Sequence, residues 1–195
     1  MIDTKAPPLH TSALPGFSVP IAARTALLFN TAATSAAGLA ALLPLGSTLY
    51  WGFADETAIL RQLALAPEVL DTFGAMQRLL AALITVLTVL PLSWGLMRVG
   101  VCFREFAHGR PFAPRGIAGL RDFALGMAVA ALAKPVGYTL MMLVLTWNAG
   151  PGKRQLALAL NSDALLMALF AATVAALAWA MEKAAIVADE NSQFV

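Results

Sequence analysis

The chain has 195 residues, of which 59% are apolar and 12% charged, and its mean hydropathy is +0.76. Soluble domains carry about 25% charged residues; half that charge is too little to cover a water-soluble globule of this size, so an integral membrane protein is expected. With a net charge of only +2, the pI near 9.0 is no sign of direct nucleic-acid binding.

Residues 1–20, "MIDTKAPPLHTSALPGFSVP", hold four prolines and one lysine and lack an apolar period. They read as a disordered leader. A cleaved signal peptide would need a short basic start and an apolar core of roughly 7–15 residues. Here the apolar run begins only after Ile21 and continues to about Trp51. It is too long and too late, and is expected to stay as a span. Four segments meet the requirement of roughly 20 apolar residues: about 21–49, 75–102, 117–147 and 155–181. Only helices and closed barrels satisfy every backbone group in lipid, and these runs lack the alternation of barrel strands. The expected fold is all-α, an integral membrane four-helix bundle over 21–186 with both termini on one side, followed by a tail over 187–195.

Between the first two spans, Ile59, Leu60, Leu63 and Leu65 give a partly apolar stripe, and Pro67 suits a helix start. A short interfacial helix is expected there, either as a cap on the bundle end or as a ligand lid. Orientation follows the Lys/Arg balance of short loops. The segment joining spans two and three carries Arg98, Arg104, Arg110, Arg115 and Arg121. The first loop has Arg61 alone beside Asp55, Glu56, Glu68 and Asp71. The second loop and both termini are therefore expected in the cytoplasm, although Lys153 and Arg154 in the turn "NAGPGKRQ" oppose this.

Inside lipid, small residues let helices approach closely. Ala33, Ala37 and Ala41, beside Gly38, offer such a face in span one, and Ala168, Ala172 and Ala176 repeat it in span four. Pro91 and Pro135 are expected to kink spans two and three. Asn30, Thr31, Thr34 and Ser35 suit interhelical hydrogen bonds. Lys134, 17 residues from the start and 13 from the end of span three, is the most unusual residue at membrane depth. A lysine there costs ~2.5–3.5 kcal/mol on insertion scales unless it snorkels or is paired. Asp163 in span four is the one plausible carboxylate partner; a snorkelling lysine and a substrate or proton site are both open. Cys102, the sole cysteine, excludes an intrachain disulfide and suits a small apolar filler, with a modified thiol as the other reading.

No catalytic constellation is present. The two histidines, His10 and His108, form no H-E-x-x-H pattern, and "GPGKRQ" lacks the residues of a phosphate loop. "GIAG" at 116–119 is not preceded by a strand. No enzyme, cofactor or metal site is expected.

The segment "FREFAHGRPFAPRGIAGLRDFAL" reads as a tight helical hairpin. Span two continues to about His108, Gly109 suits the stop, Pro111 ends the helix and Pro114 suits the next first turn. Its arginines either hold the loop inside, at about 1 kcal/mol each against anionic headgroups, or also form a docking surface. With the proline-containing span that follows, this segment resembles an uncharacterised bacterial family of four-span inner-membrane proteins, a domain of unknown function. The likeness rests on Phe106, Gly109, Phe112, Pro114, Leu120 and Arg121, and on Glu190 and Asn191 in a terminal "MEKAAIVADENSQFV". Family members often have Thr where this chain has Ala113, so a helix cap is missing. The resemblance implies a multi-pass protein of the bacterial inner (plasma) membrane; family members are often encoded beside small helix-turn-helix regulators, which suggests a membrane partner for a DNA-binding protein. Lipid, a cytoplasmic protein and a second copy of the chain are the expected partners, with Arg104, His108, Arg110, Arg115, Arg121 and Glu190 as contact residues. The expected role is non-enzymatic engagement of a soluble partner; the alternative is a small transporter or channel-like accessory subunit using Lys134.

Overall fold

The structure, a computed structural model, describes residues 20–63, 74–148 and 161–192. Five helices follow one another: α1 (Ala23–Phe53), α2 (Glu56–Leu63), α3 (Ala75–Ala107), α4 (Pro114–Thr146) and α5 (Ser162–Ser192). No strand occurs among the described residues. All but α2 are long and apolar enough to cross a membrane. The leader over 1–19, Leu65 and Pro67, the basic turn of Lys153 and Arg154, and the start of span four over 155–160 lie outside the described residues.

α3 and α4 overrun their expected ends at their shared turn for a physical reason. α3 and α4 have 33 residues each, about 50 Å at 1.5 Å per residue, against a hydrocarbon core of about 30 Å. The charged residues of both, apart from Arg78 at one end and Lys134, gather toward their shared turn, so the surplus length there is wettable. α5 likewise continues through Ser192; residues 187–192, expected as a tail, are its last turns.

Packing is serial. Among the described residues each long helix packs extensively only with its chain neighbour: α1 on α3, α3 on α4, α4 on α5. The result is an open row, with α1 and α5 as edges. Glycines make the α3–α4 seam its tightest joint. A Cβ on Gly126 would sit 2.5 Å from the Pro91 carbonyl oxygen and 3.1 Å from the Gly95 Cα. A Cβ on Gly119 would meet the Arg98 carbonyl, and one on Gly137 the Thr88 hydroxyl. In lipid, where apolar side chains gain nothing from leaving water, such close backbone contact supplies the packing energy.

The alanine stripes turn out differently from their spacing. Ala33 is buried, but Ala37 and Ala41 are exposed, and α1 packs through Ala33, Ala36 and Ala40. Ala168, Ala172 and Ala176 all face outward, while Ala164, Ala171, Val174 and Ala178 meet α4. A strict four-residue repeat drifts about 40° per step on a helix of 3.6 residues per turn, whereas alternating threes and fours hold one face.

α2 lies at the end away from the α3–α4 turn. Ile59 is buried in a cluster with Trp51, Ala81, Met142 and Leu145. Arg78 reaches Glu56 at 3.0 Å and the Ala54 carbonyl at 3.3 Å, and the Trp51 indole donates to Thr85 Oγ1 at 2.9 Å. Ile59 and Glu56 thus hold α2 against the neighbouring helix ends, while the Trp51–Thr85 bond joins α1 to α3.

Candidate functional site

The α3–α4 hairpin is built by its backbone. His108 caps α3, and Gly109 follows with φ 71°, a left-handed conformation that costs glycine nothing. The Gly109 N–H donates to the Phe106 carbonyl (3.0 Å) and the Arg110 N–H to the Glu105 carbonyl (3.0 Å). This pair of bonds is the Schellman arrangement that satisfies a helix's last carbonyls. An apolar contact usually closes that motif between the same two positions; here Arg110 and Glu105 close it with an ion pair of 2.8 Å. Ala113 then caps α4 through its backbone carbonyl, which accepts from Gly116 (2.9 Å) and Ile117 (3.1 Å), with Pro114 in the first turn. Its side chain makes no cap bond, in line with the missing Thr.

Below the turn, Arg98 on α3 meets Asp122 on α4 at 2.7 Å. Phe106 packs edge-on against Phe29 of α1, centroids 5.4 Å apart, so the motif aromatic is a joint between α1 and the hairpin. Cys102 is 1% exposed, in a cluster with Ala36 and Val99. Phe112 is half-buried.

The five arginines of the hairpin thus divide into two sets. Arg98 and Arg110 are held by Asp122 and Glu105. Arg104, Arg115 and Arg121 are exposed and make no ion pair among the described residues. His108 faces solvent, but its Nδ1 lies 2.5 Å from the Arg104 carbonyl of its own helix, which occupies that nitrogen. Arg24 joins the unpaired set. It is exposed in the first turn of α1, five residues before Phe29, and the Phe29–Phe106 contact sets it level with the turn. Glu190 is exposed near the end of α5; as α5 runs antiparallel to α4, it ends on the hairpin side.

No protein-family model, curated protein or solved structure matches this chain. The hairpin's resemblance to the four-span family therefore rests on its motif residues alone.

Lys134 and Asp163, the other candidate pair, lie on the surface of α4 and α5. They form no ion pair with each other or with any described residue. Asn30, Thr31, Thr34 and Ser35 are also exposed, and Thr31 and Thr34 donate to carbonyls one turn back in their own helix. Among the described residues they do not bridge helices. Three residues that matter were not singled out from sequence: Asp122, Arg24 and Arg78. Asp122 was legible, because a turn centred on residue 110 sets 98 opposite 122.

Proposed function

We propose that this is a non-enzymatic membrane protein that presents a rigid basic hairpin to an acidic surface on a soluble partner. The carrying observation is the division of the arginines. Two are spent inside the hairpin, which fixes its shape, while Arg104, Arg115 and Arg121 project from that frame with Arg24 beside them. A loop needed only to obey the positive-inside rule requires charge but not a fixed shape. The same rule supports a cytoplasmic location for the hairpin and both termini, as in a bacterial inner membrane, and the family resemblance supports a DNA-binding regulator as partner class. The transport alternative has less support, since Lys134 lies outside the helix row rather than between helices.

The test is to replace Arg104, Arg115 and Arg121 with Gln, leaving the structural Arg98 and Arg110 intact, and to cross-link and purify from native membranes. The reading expects a specific soluble partner captured by the wild type to be lost. The same partner at the same yield, with topology unchanged, would refute it. Restoration of capture by Lys at all three positions would mark the contact as electrostatic.

A further inference from the structure

A cleft opens between α4 and α5, lined by Met127 on one side and by Leu166, Met167, Phe170 and Thr173 on the other. It sets the register of these two helices to within about a turn, because Met127 lies at the level of 166–173. Seven residues make two helical turns and return to nearly the same face. Seven residues on from Met127 is Lys134; seven back from Phe170, on the antiparallel helix, is Asp163. Both therefore extend the two walls of the cleft about 10 Å toward the α2 end, at depths within about a turn of each other. Both side chains are exposed, and no ion pair joins them.

We infer that this face is the interface between two copies of the chain, in which Lys134 of each copy pairs with Asp163 of the other. The argument is one of symmetry and charge. A two-fold axis along the membrane normal keeps every residue at its own depth, so two unlike groups can pair across it only if they share a depth. Lys134 and Asp163 meet that condition to within about a turn, and the pairing is reciprocal, giving two ion pairs per dimer. An ammonium and a carboxylate within lipid that have no ion-pair partner among the described residues are each costly, and the dimer removes both from lipid at once. The residues beside them suit the same role: Leu166 and Phe170 are 64% and 57% exposed, on α5 at the open edge of the row.

The experiment uses two differently tagged full-length copies in bilayers of phosphatidylethanolamine and phosphatidylglycerol, scored for co-purification and by single-molecule photobleaching. Wild-type copies are expected to associate. Lys134→Asp alone, with two acids on the face, and Asp163→Lys alone, with two bases, should each lose self-association by roughly tenfold or more. Mixing the two variants should restore it, since the acid face of one meets the basic face of the other. Restoration also shows that both variants fold. A monomeric wild type would overturn the inference, as would full self-association of either single variant. So would a mixture that stays monomeric while each variant keeps wild-type helicity, which would assign the lysine to lipid or to a different membrane protein. Should either charge variant fail to fold, Lys134→Met with Asp163→Asn supplies the test: it is expected to be monomeric, and wild-type association would overturn the proposal. Loss of the dimer leaves the basic hairpin intact, so the outcome is independent of the docking reading.

Discussion

Arg98 and Asp122, 24 residues apart in the chain, meet at 2.7 Å within the glycine seam of α3 and α4. The pair locks the register of the hairpin about three helical turns below its turn. With side chains 40% and 19% exposed, it is a part-buried bond, worth on the order of 1 kcal/mol, the upper range for exposed pairs. Arg98→Gln and Asp122→Asn should each lower stability by about that amount, and the double variant should cost less than their sum because the pair is coupled. Chemical denaturation in detergent, monitored by circular dichroism, measures the cycle; strict additivity would show that the bond contributes nothing.

The glycine seam makes a sharper forecast. Gly126→Ala places a methyl 2.5 Å from a backbone oxygen, which no side-chain rotation relieves. The helices must separate, and a loss of about 1–3 kcal/mol is expected, the usual cost of overpacking. Gly38→Ala is the control, because a Cβ there meets nothing within 4 Å. It should be neutral or stabilising by up to about 1 kcal/mol through helix propensity. Equal effects at both sites would remove the seam as the row's main joint.

How much of this was legible in the sequence divides by range. The four apolar helices follow from run length, and the hairpin from Gly109, Pro111 and Pro114, because both are local consequences of residue type. The choice of packing face was not legible for α1 and α5. Their alanines are so dense that several faces look equally small, and only the partner helix selects Ala36 and Ala40 over Ala37 and Ala41. The glycines of α4, by contrast, mark a face that nothing bulkier could fill. Which arginines are spent and which are free follows from Asp122 and Glu105: the turn centred on residue 110 sets Arg98 opposite Asp122, and the stop of α3 brings Arg110 to Glu105.

Cys102 gives a direct test of the fold around the hairpin. At 1% exposure, between α1 and α3, the thiol is shielded from reagents on either side of the membrane. In intact membranes a maleimide should leave it unlabelled on the timescale that modifies a cysteine placed at the exposed Arg104 position, and denaturation in dodecyl sulfate should expose it. Rapid labelling in the native state would mean that α1 does not pack on α3 at this level. Ala36→Trp should open the same site and speed the reaction, since Ala36 shares that cluster.

Ala113 holds the N-cap of α4 in the extended conformation a capping residue adopts, φ −62° and ψ 130°, with no side-chain acceptor to offer. A serine there would bring its Oγ to the amide of Arg115 or Gly116 without changing the backbone or adding much volume. Capping residues contribute typically about 1 kcal/mol, within a range of roughly 0.5–2, so Ala113→Ser should raise stability by about that much. Ala113→Thr should do the same, less any strain from its extra methyl at a half-buried site. Hydrogen exchange separates this from a global effect: protection should rise first at the amides of Arg115 and Gly116. If both variants melt with the wild type and exchange there is unchanged, the start of α4 is already held by Pro114 and the Ala113 carbonyl, and the missing hydroxyl costs the hairpin nothing.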